Sequence, residues 1–176
     1  MSGAGCPTDA QVPERGRTDT ASDRGALARG QLTCGGDIWT FVEALALHWI
    51  LGATDAHAKN YSLLHAGRGS IRLAPLYDVA SALPYPHLAQ RKLKLAMSIG
   101  GEYGMHAIRA RHIVKLATEL RLDEQETLAR FRDLAANVAR EAEPLARQLR
   151  DEGLDTPLVA TLATAVAERA IQISPS

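Results

Sequence analysis

The chain has 176 residues, 46% of them apolar, which bounds it to one domain around one buried core. Twenty basic residues balance twenty acidic ones, so no global field selects nucleic acid or an anionic membrane as the main partner, and any binding rests on a local patch. Cys6 and Cys34 have no metal-site spacing and read as free thiols, and no run reaches the roughly 18 apolar residues of a membrane span, so the expected location is the cytoplasm.

Residues 1–36 hold Pro7, Pro13 and repeated Gly, Ser and Thr, with few large apolar groups. Such a composition buries too little surface to offset chain entropy, and a disordered leader is expected there, followed by one domain over 37–176. From Asp37 the pattern turns dense and apolar, with Ile38, Phe41, Val42, Leu45, Trp49 and Ile50 on good helix formers, ending at Gly52. A buried, central helix is predicted. Tyr61–Leu64 and Ser70–Leu73 flank a turn with Gly67 and Gly69, which reads as a short hairpin with His65 in its turn. Pro75, Pro84 and Pro86 then make residues 74–87 a structured loop. Leu93, Leu95 and Met97 alternate with Lys92, Lys94 and Ala96, an extended stretch that stops at Gly100 and Gly101.

The rest reads as helix. Ile108 to Leu120 is one segment, and Asp123-Glu124-Gln125-Glu126 looks like the capped start of a long amphipathic helix towards Arg150, with Pro144 as a kink or boundary. Thr156-Pro157 opens a last helix whose stripe is Leu158, Leu162, Val166 and Ile171. Helices dominate, beside one small β element.

The chemistry concentrates just after the first helix, where Asp55-Ala56-His57-Ala58-Lys59-Asn60 packs an acid, an imidazole, an amine and an amide into six residues. The Asp-x-x-x-x-Asn spacing matches the catalytic loop of protein kinases, in which the Asp accepts the acceptor hydroxyl's proton and the Asn ligates magnesium. Magnesium takes hard oxygen ligands and keeps several waters, so an amide and a second carboxylate are a sufficient protein share. Asp78 can supply that carboxylate, and Lys59 can neutralise phosphate charge. Any one of these residues alone is more commonly a turn residue bonded to its own backbone; the ordered set changes that balance.

Thr54-Asp55-Ala56-His57-Ala58-Lys59-Asn60 and then Ala74-Pro75-Leu76-Tyr77-Asp78 resemble the signature of HipA-like serine/threonine kinases of toxin-antitoxin systems. Lys92-Leu93-Lys94-Leu95-Ala96-Met97-Ser98-Ile99-Gly100 is similar to that family's next segment, and residues 39–120 carry the likeness. The resemblance implies a mainly α fold, the helical C-terminal lobe of a protein-kinase-like fold with a short β-hairpin. It implies Asp55 as catalytic base, Asn60 and Asp78 as magnesium ligands, and His57, Ala58, Lys59, Asn60, Tyr77 and Asp78 around the nucleotide of ATP-Mg2+. It also implies phosphoryl transfer to a Ser or Thr hydroxyl of a protein substrate, and a HipB-like antitoxin through which DNA is reached indirectly. Ala53-Thr54 and Val79-Ala80 stand where other kinases carry His-Arg and Phe-Gly, which sets the chain apart from them. Nothing before Trp39 resembles a nucleotide-binding small lobe, and Gly35-Gly36 is no phosphate loop, so that lobe is expected from a separate polypeptide.

His48 reads as a satisfied core histidine rather than a zinc ligand, and Arg109, Arg111, His112 and Lys115 as a solvated helix face. Glu141 and Glu143 beside Arg140 and Arg147 read as surface pairs. The competing functional reading is a non-catalytic remnant that binds an antitoxin-like or nucleic-acid partner through its helical surface. A small-molecule phosphotransferase shares the Asp-x-x-x-x-Asn logic but not the His-x-Lys insert.

Overall fold

The computed structural model describes residues 35–65, 71–85, 88 and 92–173. Residues 1–34 of the leader expected over 1–36 lie outside them. Helix α1 runs Gly35–Leu51, so Gly35 and Gly36 belong to its first turn rather than to the leader. One face buries Phe41, Val42, Leu45 and Trp49, each contributing about 1.5–3 kcal/mol. The helix ends where Gly52 takes φ 66°. The Ala53 amide then bonds the His48 carbonyl at 2.9 Å and the Gly52 amide the Trp49 carbonyl at 3.4 Å, a paired closure that needs a residue tolerant of left-handed backbone.

After a 3-10 turn at Ala58–Asn60, strands β1 (Leu63–His65) and β2 (Ile71–Leu73) form the expected antiparallel hairpin. His65 pairs with Ile71 as the last residue of β1, so it belongs to the strand and not the turn. The hairpin is tied to α1 by Arg72, whose Nε donates at 2.9 Å to Asp37, a first-turn residue only 2% exposed. Residues 74–85 contain no helix or strand, as their prolines dictate.

Strand β3 (Lys94–Ile99) buries Leu95, Met97, Ser98 and Ile99, and turns through Gly100 and Gly101, φ 54° and 89°, into β4 (Glu102–Gly104). This second hairpin goes beyond the single one expected: the glycines that were to stop the extended stretch reverse it instead. Helix α2 (Ala110–Leu120) follows, with Arg109 as its cap rather than on its face. Helix α3 (Glu124–Asp151) starts as predicted, Asp123 Oδ1 accepting from the Glu126 amide at 2.7 Å, and continues through Pro144. Helix α4 (Pro157–Ile173) packs back on α3.

The core lies where α1 meets β3, α2 and α3, with Ile99, Ile113, Leu116 and Phe131 against the α1 face. The Trp49 indole donates to the Met105 carbonyl at 2.9 Å inside it, and Ile50, Ala135 and Ala170 join α1 to α3 and α4. Helix α1 is thus held on three sides, and its C-terminus delivers the polar loop that follows.

Candidate functional site

Two loops converge at the end of α1. Ser81 Oγ donates to the Leu51 carbonyl at 2.6 Å, the Ala82 amide to the Gly52 carbonyl at 3.0 Å, and the Leu83 amide to Ser81 Oγ at 3.1 Å. A Cβ on Gly52 would lie 2.8 Å from the Leu83 side chain, so glycine there serves both the turn and the approach of the second loop. These contacts set residues 74–83 beside residues 55–60.

Asn60 joins the two. Its side chain is nearly buried, and its amide NH2 donates to the Asp55 carbonyl at 3.2 Å and to Asp78 Oδ2 at 3.3 Å, across 18 residues of chain. Asp78 is held at φ 56°, in the left-handed region that Asp tolerates better than most side chains and that recurs at functional sites. Tyr77 closes the arrangement, because its hydroxyl donates to the Lys59 carbonyl at 3.1 Å and lies 2.9 Å from Ser62 Oγ. The 3-10 turn is further closed by the Asn60 amide on the His57 carbonyl at 2.9 Å.

The reactive groups face outward. The Asp55 side chain is 85% exposed, and His57 Nε2 lies 3.9 Å from its Oδ1, beyond hydrogen-bond reach. His57 Nδ1 is buried with no hydrogen-bond partner among the described residues. Lys59 and Asp78 are exposed, while Ala58 is partly buried in the turn. Underneath, the Tyr61 hydroxyl lies 3.0 Å from His48 Nδ1, and the Tyr61 ring meets Phe41 edge-on. Burial lowers the pKa of His48 and raises that of Tyr61, which favours neutral imidazole accepting from neutral phenol. Behind α1, Arg169 is buried and its Nε donates to the Trp49 carbonyl at 3.1 Å; burial pulls its pKa down to about 10.

The structure thus brings Asp55, Asn60, Tyr77 and Asp78 together, with His57 and Lys59 on the same rim. Ser62, Ser81, His48 with Tyr61, and Arg169 support them and carry no local sequence signal, because their partners lie 13 to 120 residues away. No group of three or more His, Cys, Asp or Glu among the described residues could hold a metal ion. Asn60 and Asp78 form a smaller, oxygen-bearing pair, the protein share that magnesium accepts when water and phosphate oxygens supply the rest.

The model of the HipA-like C-terminal domain matches residues 21–142. The chain belongs to that family. It is 31% identical over 137 residues to a Sinorhizobium fredii (strain NBRC 101917 / NGR234) protein named "Putative kinase Y4mE", a match covering 76% of this chain and 31% of that protein. It is 29% identical over 103 residues to "Putative kinase Y4dM" of the same organism, covering 54% of this chain and 24% of that one. Among solved structures it is similar to a chain of the Shewanella oneidensis MR-1 toxin-antitoxin complex of HipA, HipB and operator DNA, with TM-score 0.60 and 22% identity over 74% of this chain and 30% of that one. That likeness is one of fold. This HipA-like chain spans about a third or less of the length of these relatives. None of its described helices is long and apolar enough to cross a membrane.

Proposed function

We propose that this HipA-like domain carries the phosphoryl-transfer half of an ATP-dependent serine/threonine protein kinase site. The observation behind this reading is the Asn60 amide, which bridges the Asp55 backbone and the Asp78 carboxylate and so couples the two loops such chemistry requires. Asp55, exposed at the rim, takes the proton of the acceptor hydroxyl as its oxygen attacks the γ-phosphorus and ADP leaves. Asn60 and Asp78 are the residues that would hold magnesium. The bound ion supplies neutralisation of the charge developing on the transferred phosphoryl group. His57, Ala58 and Lys59 line the phosphate side, Lys59 by its charge, and Tyr77 acts by holding the Lys59 carbonyl in place. The domain works in the cytoplasm with a HipB-like antitoxin, reaches DNA only through it, and takes its nucleotide-covering small lobe from another segment or polypeptide.

Calorimetric titration with ATP and magnesium tests the site. Binding is expected to require magnesium, to disappear in Asp78→Ala and to persist in Asp55→Asn. Mixing with the N-terminal portion of the Sinorhizobium fredii relative should restore phosphate transfer to protein, and Asp55→Asn should abolish it. Unchanged transfer in that variant would overturn the assignment.

A further inference from the structure

A groove of about 300 Å³ runs between α3 and α4 and opens beside the 74–83 loop. It is lined by Leu145 and Leu149 of α3, Val159 and Leu162 of α4, and Val79 and Leu51. Val79 directly follows Asp78, and Leu51 ends the helix that leads into Asp55. Leu145 and Val79 remain 53% and 37% exposed, and Leu158 close by 49%, a concentration of apolar surface at one place. The volume lies at the lower end of ligand clefts and suits a side chain or two rather than a nucleotide.

The charges around it decide what fits. Residues 138–166 carry five acids, Glu141, Glu143, Asp151, Glu152 and Asp155, against Arg140, Arg147 and Arg150. Two of those arginines are already committed, Arg140 to Glu141 at 2.9 Å and Arg150 to Asp155 at 3.2 Å. Among the described residues that line the groove Glu141 is the charged one, and it is the partner of Arg140; with both ion pairs set aside, Glu143, Asp151 and Glu152 stand against Arg147. A second copy would bring the same acidic excess against this one, and an anionic lipid surface would be repelled.

We propose that the groove seats an apolar side chain of the acceptor protein, on a peptide segment that carries lysine or arginine beside it and places its hydroxyl towards Asp55. This assignment of substrate class rests on the phosphoryl-transfer reading above. The apolar side chain supplies affinity by leaving water, and the neighbouring cation is drawn by the acidic rim.

Two fluorescein-labelled decapeptides with a central serine test it by anisotropy, without nucleotide. One carries leucine, phenylalanine and two lysines beside the serine; in the other, glycines replace the leucine and phenylalanine. The apolar peptide is expected to bind at least tenfold tighter. Leu145→Asn, at a half-exposed position, should remove most of that preference, and Glu141→Lys should weaken the cationic peptide several-fold at low salt and little at high salt. Equal affinity for both peptides overturns the proposal, as does a preference that survives Leu145→Asn. A sedimenting dimer that Leu145→Asn dissociates also overturns it, since a second copy then fills the groove. If the apolar peptide binds as expected but its serine is never phosphorylated by the reconstituted enzyme, the docking groove stands and the phosphoryl-transfer reading falls.

Discussion

Beneath residues 55–60, Trp49, His48 and Tyr61 are buried or nearly so, and the indole, imidazole and phenol each have a hydrogen-bond partner. Above them, Asp55, Lys59 and Asp78 stand in solvent, the Asp55 carboxylate 3.9 Å from His57 Nε2. Both surfaces belong to the same short stretch of chain, yet one is fixed by packing and the other is left open to a ligand. The difference separates residues that set the loop's position from residues that would act on what binds there. Substitutions in the floor should therefore register first as lost stability, and substitutions on the face as lost binding at nearly constant stability.

The largest stability effect is expected at the turn between β3 and β4. A Cβ on Gly100 would fall 2.0 Å from the His112 carbonyl oxygen, and its φ of 54° disfavours side chains in any case. Gly100→Ala must push the hairpin off α2 and should cost about 3 kcal/mol or more in urea unfolding. Next comes Trp49→Phe, which leaves the buried Met105 carbonyl without its 2.9 Å donor and should cost about 1–3 kcal/mol. An equal loss at an exposed control such as Lys59→Ala would erase the distinction between floor and face.

Much of this division could be read from the sequence, and its failures have a common cause. The apolar period found α1, the Asp123 cap found the start of α3, and Thr156-Pro157 found α4, because each depends on residues within a turn or two of one another. The string from Asp55 to Asn60 was equally legible, since its spacing is local. Strand β4 was not: three residues carry no alternation, and the strand exists because two glycines in positive φ fold it back on β3. Likewise His65 joins β1 because Ile71 pairs with it. The contacts of Tyr61 with His48, Tyr77 with Ser62 and Ser81 with Leu51 span 13 to 30 residues, and no periodicity encodes them. The groove between α3 and α4 is invisible for the same reason.

The His48 and Tyr61 pair lies between floor and face, mostly buried yet at the end of the loop. Tyr61→Phe removes the phenol's bond to His48 Nδ1 and should cost about 1 kcal/mol. The unfolded chain protonates this imidazole near pH 6.5, whereas burial delays protonation in the folded chain to lower pH. The stability it contributes is therefore complete above pH 6.5 and declines as pH falls through that value towards the depressed folded one. Melting temperature should fall more steeply between pH 7 and pH 5 in the parent than in His48→Gln; parallel curves would show that His48 is not held neutral.

The smallest stability effect belongs to Asp78→Asn. Asparagine accepts left-handed backbone about as well as aspartate, and its side-chain oxygen can still accept from Asn60, so folding stability should change by no more than about 0.5 kcal/mol. What disappears is the negative charge, which the fold does not use for any ion pair among the described residues but which the proposed magnesium-nucleotide site would use. Magnesium-dependent ATP binding should fall at least tenfold while the unfolding midpoint stays in place. A loss of both together would place Asp78 with the floor; retention of both would remove it from the site.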